Sequence, residues 1–148
     1  MSSATPAAVT NRLLEALPVA ARQSILKQCE RVTLTFGEIL YEPGAQLEHV
    51  YFPMNSFISL IATVDGGASL EVGLIGNEGL LGIPLVLGVD TSPLRVMVQG
   101  TGDAWRMTAT QFQRALVKHP LLRRALDRYT HVLMTQLGQT AACTCFHI

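Results

Sequence analysis

The sequence has little charge, no excess of one sign, and no long uninterrupted apolar run. Charged residues make up 15% of its 148 residues, and 11 lysines and arginines balance 11 aspartates and glutamates. Without a basic field, the chain itself is not expected to bind nucleic acid. The apolar stretch from Gly79 to Val96 is interrupted by Pro84 and Asp90, so it falls short of the roughly 18 residues of a membrane span. The N-terminus lacks the pattern of a secretory signal, and we expect a cytoplasmic protein.

Cysteine is scarce as well. Cys29, Cys143 and Cys145 form no even disulfide framework and fit a reducing compartment. With His147, the last two could chemically hold copper or zinc, but they lack the spacing of a closed zinc site. No serine, cysteine or acid lies in a recognisable catalytic motif. The sequence therefore predicts neither an enzyme nor a metal or cofactor site.

The residues that are present predict one domain in three segments. Residues 1–30 carry two short helices, with Thr10 placed to cap the first and Pro18 in the first turn of the second. Residues 31–107 contain short runs rich in β-branched and aromatic residues, separated by Gly, Pro and Asp, which is typical of an antiparallel barrel or sandwich. Residues 108–148 are predicted to be helical.

Local signals refine two of these segments. Asp65, Gly66 and Gly67 predict a hairpin turn between FISLIATV and SLEVGLI, where Leu70, Val72 and Leu74 are expected to share one face. A capping box at Thr108-Ala-Thr-Gln111 opens a helix. Pro120 is expected to begin a final helix that runs to about residue 145.

The final helix carries an apolar heptad pattern. Its members are Leu122, Leu126, Tyr129, Leu133, Gln136, Thr140 and Cys143. Such a pattern indicates packing against another helix, and its length favours a second copy of the chain, with the first six residues forming a homodimer interface. The alternative is that the same stripe packs on its own domain.

Two motifs, RVTLTFGEILYEPGAQLEHVYF and GLIGNEGLLG, carry a resemblance to a known family. Through Gly37, Glu38, Leu40, Tyr41 and Gly44, the first is similar to the opening strands of the Crp/Fnr family of bacterial transcription regulators. GLIGNEGLLG resembles the glycine-rich turn into its ligand cassette, which here covers residues 76–98. The resemblance implies a mostly β domain with flanking helices, of the cyclic-nucleotide-binding jelly-roll type, and a long C-terminal dimerisation helix. DNA contact would belong to a helix-turn-helix module outside this chain.

The cassette departs from the family pattern at its two charged positions. In relatives that bind cyclic nucleotides, a glutamate accepts a hydrogen bond from the ribose and an arginine neutralises the cyclic phosphate. Gly82 and Pro93 match the pattern, but Ile83 falls where the glutamate belongs and Leu94 where the arginine belongs. A phosphate buried without an arginine costs several kcal/mol, so we expect no binding of cyclic AMP or cyclic GMP.

Three other residues are weaker candidates for the ligand site. Arg95 lies one position beyond the family arginine, which in a strand turns it to the opposite face unless a bulge near Pro93 restores the inward direction. Gln136 and Thr140 are polar positions of the heptad pattern, and the resemblance makes them either pocket residues or residues that fix the alignment of a dimer.

Two hypotheses of function follow. The first is a dimeric regulatory sensor domain of a Crp/Fnr-like regulator, with altered or lost ligand binding and an unknown small-molecule effector. The second is a structural dimerisation module whose pocket is filled. A cavity of a few hundred cubic ångströms with convergent polar groups would favour the sensor, a packed interior would favour the module, and an apolar pocket would suggest a hydrophobic effector.

Overall fold

The structure, a computed structural model, describes residues 10–64 and 66–146. The helices are, in chain order, α1 (Arg12–Glu15), α2 (Val19–Leu26), α3 (Ile83–Val86), α4 (Ala109–Lys118) and α5 (Pro120–Phe146). The strands are β1 (Glu30–Leu34), β2 (Ile39–Tyr41), β3 (His49–Pro53), β4 (Phe57–Thr63), β5 (Ser69–Ile75), β6 (Arg95–Gly100) and β7 (Gly102–Thr108). Within these described ranges, no helix is long and apolar enough to span a bilayer.

The strands form two antiparallel sheets. One has the order β1-β7-β3 and the other the order β2-β6-β4-β5. A single hydrophobic core contains side chains of both sheets, among them Phe52 of β3, Ile58 of β4 and Val98 of β6. This is the jelly-roll-type β domain with flanking helices that the sequence predicts, and the long terminal helix is present as expected.

Several local signals of the sequence are confirmed. Gly66 and Gly67 both have positive φ angles, and the strands that they connect, β4 and β5, pair antiparallel. The Thr108 hydroxyl accepts a hydrogen bond from the Gln111 backbone, and the Gln111 side chain accepts one from the Thr108 backbone, so the capping box is complete. Pro120 is the first residue of α5.

The start of the chain differs from the prediction in its caps. Asn11, rather than Thr10, caps α1 by accepting hydrogen bonds from the backbone N–H groups of Leu13 and Leu14. The amide also donates to the carbonyls of Pro53 and Gly79, at 2.9 Å each. An amide has an acceptor and two donors, so one buried side chain both caps the helix and ties it to the β region. Pro18 precedes α2 as its N-cap.

A bulge in β5 overturns the predicted face of that strand. The pairing with β4 shifts by one residue between Leu60 and Ile61, which leaves Val72 without an opposite residue. Because one extra residue reverses the alternation of side chains, Ile75 is buried in the core while Leu74 is exposed. Leu70, Val72 and Leu74 therefore do not form one continuous face.

The heptad pattern of α5 packs on its own domain along its first half. Leu122 and Leu126 are 0% exposed, and Tyr129 and Leu133 are also buried in the core of the single chain. In the single chain, these four residues hold α5 against the jelly roll, which is the alternative that the sequence left open. The side chain of Cys143 lies outside the described part of the structure.

Candidate functional site

A cavity of about 340 Å³ lies between the four-stranded sheet, the cassette and α5. The sheet and α5 contribute mostly aliphatic side chains to its wall: Leu60, Ile75, Val96, Thr130, Leu133, Met134 and Leu137. The remaining lining residues come from residues 47 and 80–94 and are again mostly aliphatic. Among the residues that the structure describes, no charged or aromatic side chain lines this cavity. The space is large enough for a small ligand, and its walls are suited to apolar contacts.

Gly82 and Ile83 stand at the cavity where the cassette turns into α3. Gly82 has a φ of +128°, and a Cβ atom there would lie 2.5 Å from Cγ1 of Val50, so the position requires glycine. The buried Ile83 follows as the first residue of α3 and lines the cavity. Pro84 has no backbone N–H, which removes one of the donors that the start of a helix turn otherwise offers.

Leu94 and Arg95 point in opposite directions at the start of β6. Leu94 lines the cavity together with Val96, while Arg95 is absent from its wall. The Arg95 guanidinium instead donates from Nε to Oε1 of Glu42 at 2.8 Å on the partly exposed outer face. The strand alternation expected from the sequence is present here, and no bulge turns Arg95 inward.

Gln136 and Thr140 also lie away from the cavity. Oε1 of Gln136 accepts a hydrogen bond from the backbone N–H of Leu74 at 3.1 Å. Because β5 is an edge strand of its sheet, this contact satisfies an edge donor and fastens α5 along the sheet. The Thr140 hydroxyl donates to the carbonyl of Gln136 at 3.0 Å. Of the six predicted ligand residues, the structure brings Gly82, Ile83 and Leu94 together at the cavity and leaves the other three outside it.

Sequence reasoning missed the contact that docks α5 onto the cassette. Tyr129 lies directly over Gly79, and a Cβ atom on Gly79 would come within 2.2 Å of the tyrosine Cζ and Oη. Burial raises the pKa of the Tyr129 hydroxyl well above its usual value, and the charge of Glu78 raises it further. The pairing of a glycine with an aromatic residue 50 positions later has no local sequence signal.

The helix α5 also contributes residues to the cavity wall that the prediction from the heptad pattern did not identify. Thr130, Met134 and Leu137 line the cavity beside Leu133. Thr130 and Leu137 are offset by one position from Tyr129 and Gln136 of the heptad pattern. A prediction based on a wider apolar face, which contacts both the core and the cavity, would have included them.

The cysteine, histidine and acidic side chains of the described residues are dispersed. No three histidine, cysteine or acidic side chains converge there as metal ligands. Cys29 is partly buried, and burial raises its thiol pKa to about 12, so it is a poor nucleophile. The tail group of Cys143, Cys145 and His147 lies outside the described side chains.

Comparison with known proteins identifies the fold. No protein-family model and no curated protein matches the sequence. Among solved structures, CLP from Xanthomonas campestris, described as a c-di-GMP-responsive global regulator, is 16% identical with a TM-score of 0.75, covering 87% of this chain and 65% of its own. The catabolite activator protein of Thermus thermophilus is 16% identical with a TM-score of 0.72, covering 90% of this chain and 63% of its own.

A shorter structure matches as well. The cyclic-nucleotide-binding-like protein of Brucella abortus is 20% identical with a TM-score of 0.58, covering 70% of this chain and 89% of its own. The chain spans less than two thirds of the length of the two regulators. At these identities the likeness concerns the fold, which is the one that Crp/Fnr-type regulators share with cyclic-nucleotide-binding domains.

Proposed function

We propose that this chain is the regulatory sensor domain of a Crp/Fnr-like transcription regulator, and that its pocket does not accept cyclic AMP or cyclic GMP. The observation that carries the proposal is the cavity at the cassette, whose wall contains Ile83 and Leu94 and, within the described part of the chain, no charged side chain. A cyclic phosphate entering it would lose its hydration without gaining a cationic partner, which costs several kcal/mol.

The outward position of Arg95 supports the same conclusion. Its ion pair with Glu42 lies on the partly exposed face of β6, and its neighbour Val96 takes the inward position. To reach a phosphate in the cavity, Arg95 would have to change places with a buried residue of the same strand. The direction is set by the pleat rather than by the ion pair.

The test is calorimetric titration of the chain with both cyclic nucleotides up to about 1 mM, a range that covers weak physiological affinities. We expect no saturable heat. A Glu42→Gln variant, which releases Arg95 from its ion pair, is expected to behave in the same way. Micromolar binding by either protein would refute the proposal.

Signal output in this proposal passes through α5. A ligand that fits one position of α5 better than another shifts the population of helix arrangements, and through them the geometry of attached DNA-reading modules. DNA recognition is assigned to such modules and not to this chain, whose net charge is zero. The proposed location is the cytoplasm.

Homodimerisation through α5 is part of the proposal, but on another face of the helix. The buried heptad residues are unavailable, whereas Leu121 and Val132 expose much of their apolar surface on the same helix. We expect a dimer in sedimentation velocity at tens of micromolar, weakened by Val132→Glu. A chain that remains monomeric at that concentration would contradict this part of the proposal.

A structural module with a filled pocket is the less favoured alternative. In such a module the aliphatic residues at the cassette would pack against each other. The cavity of about 340 Å³ between them is instead within the range of small-molecule sites.

A further inference from the structure

The wall of the cavity defines the chemistry of what fits inside. Its described side chains are apolar apart from Thr91, Ser92 and Thr130, and none of them has an aromatic ring for stacking with a base or another ring. At about 340 Å³, the cavity has roughly twice the volume of the 150 Å³ apolar cavity that is known to hold benzene. It therefore suits an aliphatic molecule of about a dozen non-hydrogen atoms.

Two of the three hydroxyl groups of the wall, those of Ser92 and Thr130, are engaged with the backbone. The Ser92 hydroxyl donates to the carbonyl of Leu94 at 2.7 Å, and the Thr130 hydroxyl donates to the carbonyl of Leu126 at 2.7 Å. Their protons are therefore not available for a carboxylate or phosphate of a ligand. Among the described residues, the wall carries no charged side chain that could pair with an anion.

The mouth of the cavity is apolar too. It contains Leu87 and Met134, each 63% exposed, and Val89, which is 48% exposed. Exposed aliphatic side chains grouped at an opening are costly in water, and a bound apolar chain would cover them. A ligand with an aliphatic body and a small polar end would leave that end at the mouth, in contact with water.

We infer that this cavity binds an uncharged, mainly aliphatic small molecule of about a dozen non-hydrogen atoms, such as a medium-chain alcohol. The regulatory meaning of this binding rests on the proposed sensor function. The molecule occupies the space beside Ile83 and Leu94 that the family pattern gives to a cyclic nucleotide. The ligand class differs from that of the family pattern because Ile83 and Leu94 stand where that pattern has a glutamate and an arginine.

A ligand in the cavity affects the rest of the molecule through its contact with α5. Thr130, Leu133, Met134 and Leu137 of α5 form one wall of the cavity, so a bound aliphatic chain contacts the helix directly. Filling the space supports α5 on the jelly roll. Binding therefore stabilises the docked position of the helix relative to one that moves away from the cavity.

The experiment uses the whole chain and a series of straight-chain alcohols. Calorimetric titration with 1-hexanol, 1-octanol and 1-decanol should give one saturable site whose affinity rises about three- to fourfold with each added methylene, as expected for burial of aliphatic surface. Decanoate, with the same chain and a charged end, should bind more weakly than 1-decanol. Tighter binding of decanoate would overturn the assignment of an uncharged ligand.

Two variants locate the site. Leu94→Trp fills part of the cavity and should lower the affinity for 1-decanol at least tenfold, whereas Val117→Trp, at an exposed position of α4 outside the cavity wall, should leave it unchanged. Circular dichroism verifies that each variant is folded. Should Leu94→Trp fail to fold, Leu87→Trp at the exposed mouth provides the same test. Unchanged binding in a folded cavity variant would overturn the inference.

The outcomes separate this inference from the proposed function. Absence of alcohol binding to the folded chain overturns the aliphatic ligand, and if cyclic nucleotides also fail to bind, the proposed function stands. Micromolar binding of cyclic AMP overturns the proposed function whatever the alcohols do. An affinity that does not change with chain length would show that the alcohols bind outside the cavity, and would overturn the inference.

Discussion

Replacing Gly79 with alanine is expected to push α5 away from the cassette. An alanine Cβ would lie 2.2 Å from Cζ and Oη of Tyr129, far inside the roughly 3.5 to 4 Å of ordinary carbon contacts. The buried tyrosine ring, or the helix that carries it, must move by more than an ångström. Overpacking of this kind costs about 1 to 3 kcal/mol, so Gly79→Ala should lower the urea midpoint by about 1 M.

A matched glycine on α5 provides the control. Gly138 has no atom within 4 Å of an added Cβ, so Gly138→Ala should stabilise the chain by about 0.5 to 1 kcal/mol through helix propensity alone. The two substitutions make the same chemical change and are expected to act in opposite directions. Urea unfolding followed by circular dichroism measures both.

A double-mutant cycle identifies the cause of the loss. In a Tyr129→Leu background the ring atoms that meet the new Cβ are absent, so Gly79→Ala should cost less than about 0.5 kcal/mol there. An equal cost in both backgrounds would show that the destabilisation does not come from Tyr129. A wild-type urea midpoint for Gly79→Ala would refute the packing argument itself.

Four further substitutions test other parts of the structure. Leu126→Ala should cost about 2 to 5 kcal/mol in urea unfolding because its side chain is fully buried, whereas Val117→Ala at an exposed position of α4 should stay within about 0.5 kcal/mol. Hydrogen bonds from an arginine and a threonine hold the pKa of Asp103 below its usual value of 3.8. Its contribution to stability is therefore present above that pH and is lost as the pH falls further, through the lower pKa of the folded state. Asp103→Asn should remove that part of the acid sensitivity in thermal unfolding from about pH 7 to about pH 2. Arg95→Gln breaks a solvent-exposed pair with Glu42 and should change the free energy of unfolding by less than about 1 kcal/mol; a larger loss would indicate a structural role for Arg95 that its exposed position does not suggest.

Much of the fold follows from local patterns in the sequence. Paired glycines fix the β4–β5 turn, a threonine and a glutamine three positions apart cap α4, and a proline starts α5. Each signal acts over a few residues, because it depends on backbone angles or on satisfying the N–H groups at a helix end. Alternation in β6 likewise assigned Leu94 and Val96 to one face and Arg95 to the other. Together with the resemblance to the Crp/Fnr family, this alternation led to the prediction of a cassette without the family's charges.

Contacts between distant segments depended on the tertiary structure. The bulge at Val72 reverses the face of β5, and whether one extra residue is accommodated depends on the partner strand. The heptad pattern of α5 is equally compatible with a second chain or with its own jelly roll, since both offer an apolar surface. Burial of Leu122 and Leu126 in the core decides for the latter.

By itself, the sequence predicted a jelly-roll domain with a long terminal helix, and its resemblance to the Crp/Fnr family placed Ile83 and Leu94 at the two positions that carry charges in the family pattern. Only the tertiary structure decided that these side chains border an open cavity rather than a packed interior, and that α5 closes one side of it. The physical reason is that strand faces and helix ends follow from local periodicity and capping. The volume left between a sheet, a loop and a helix depends on how all three pack together.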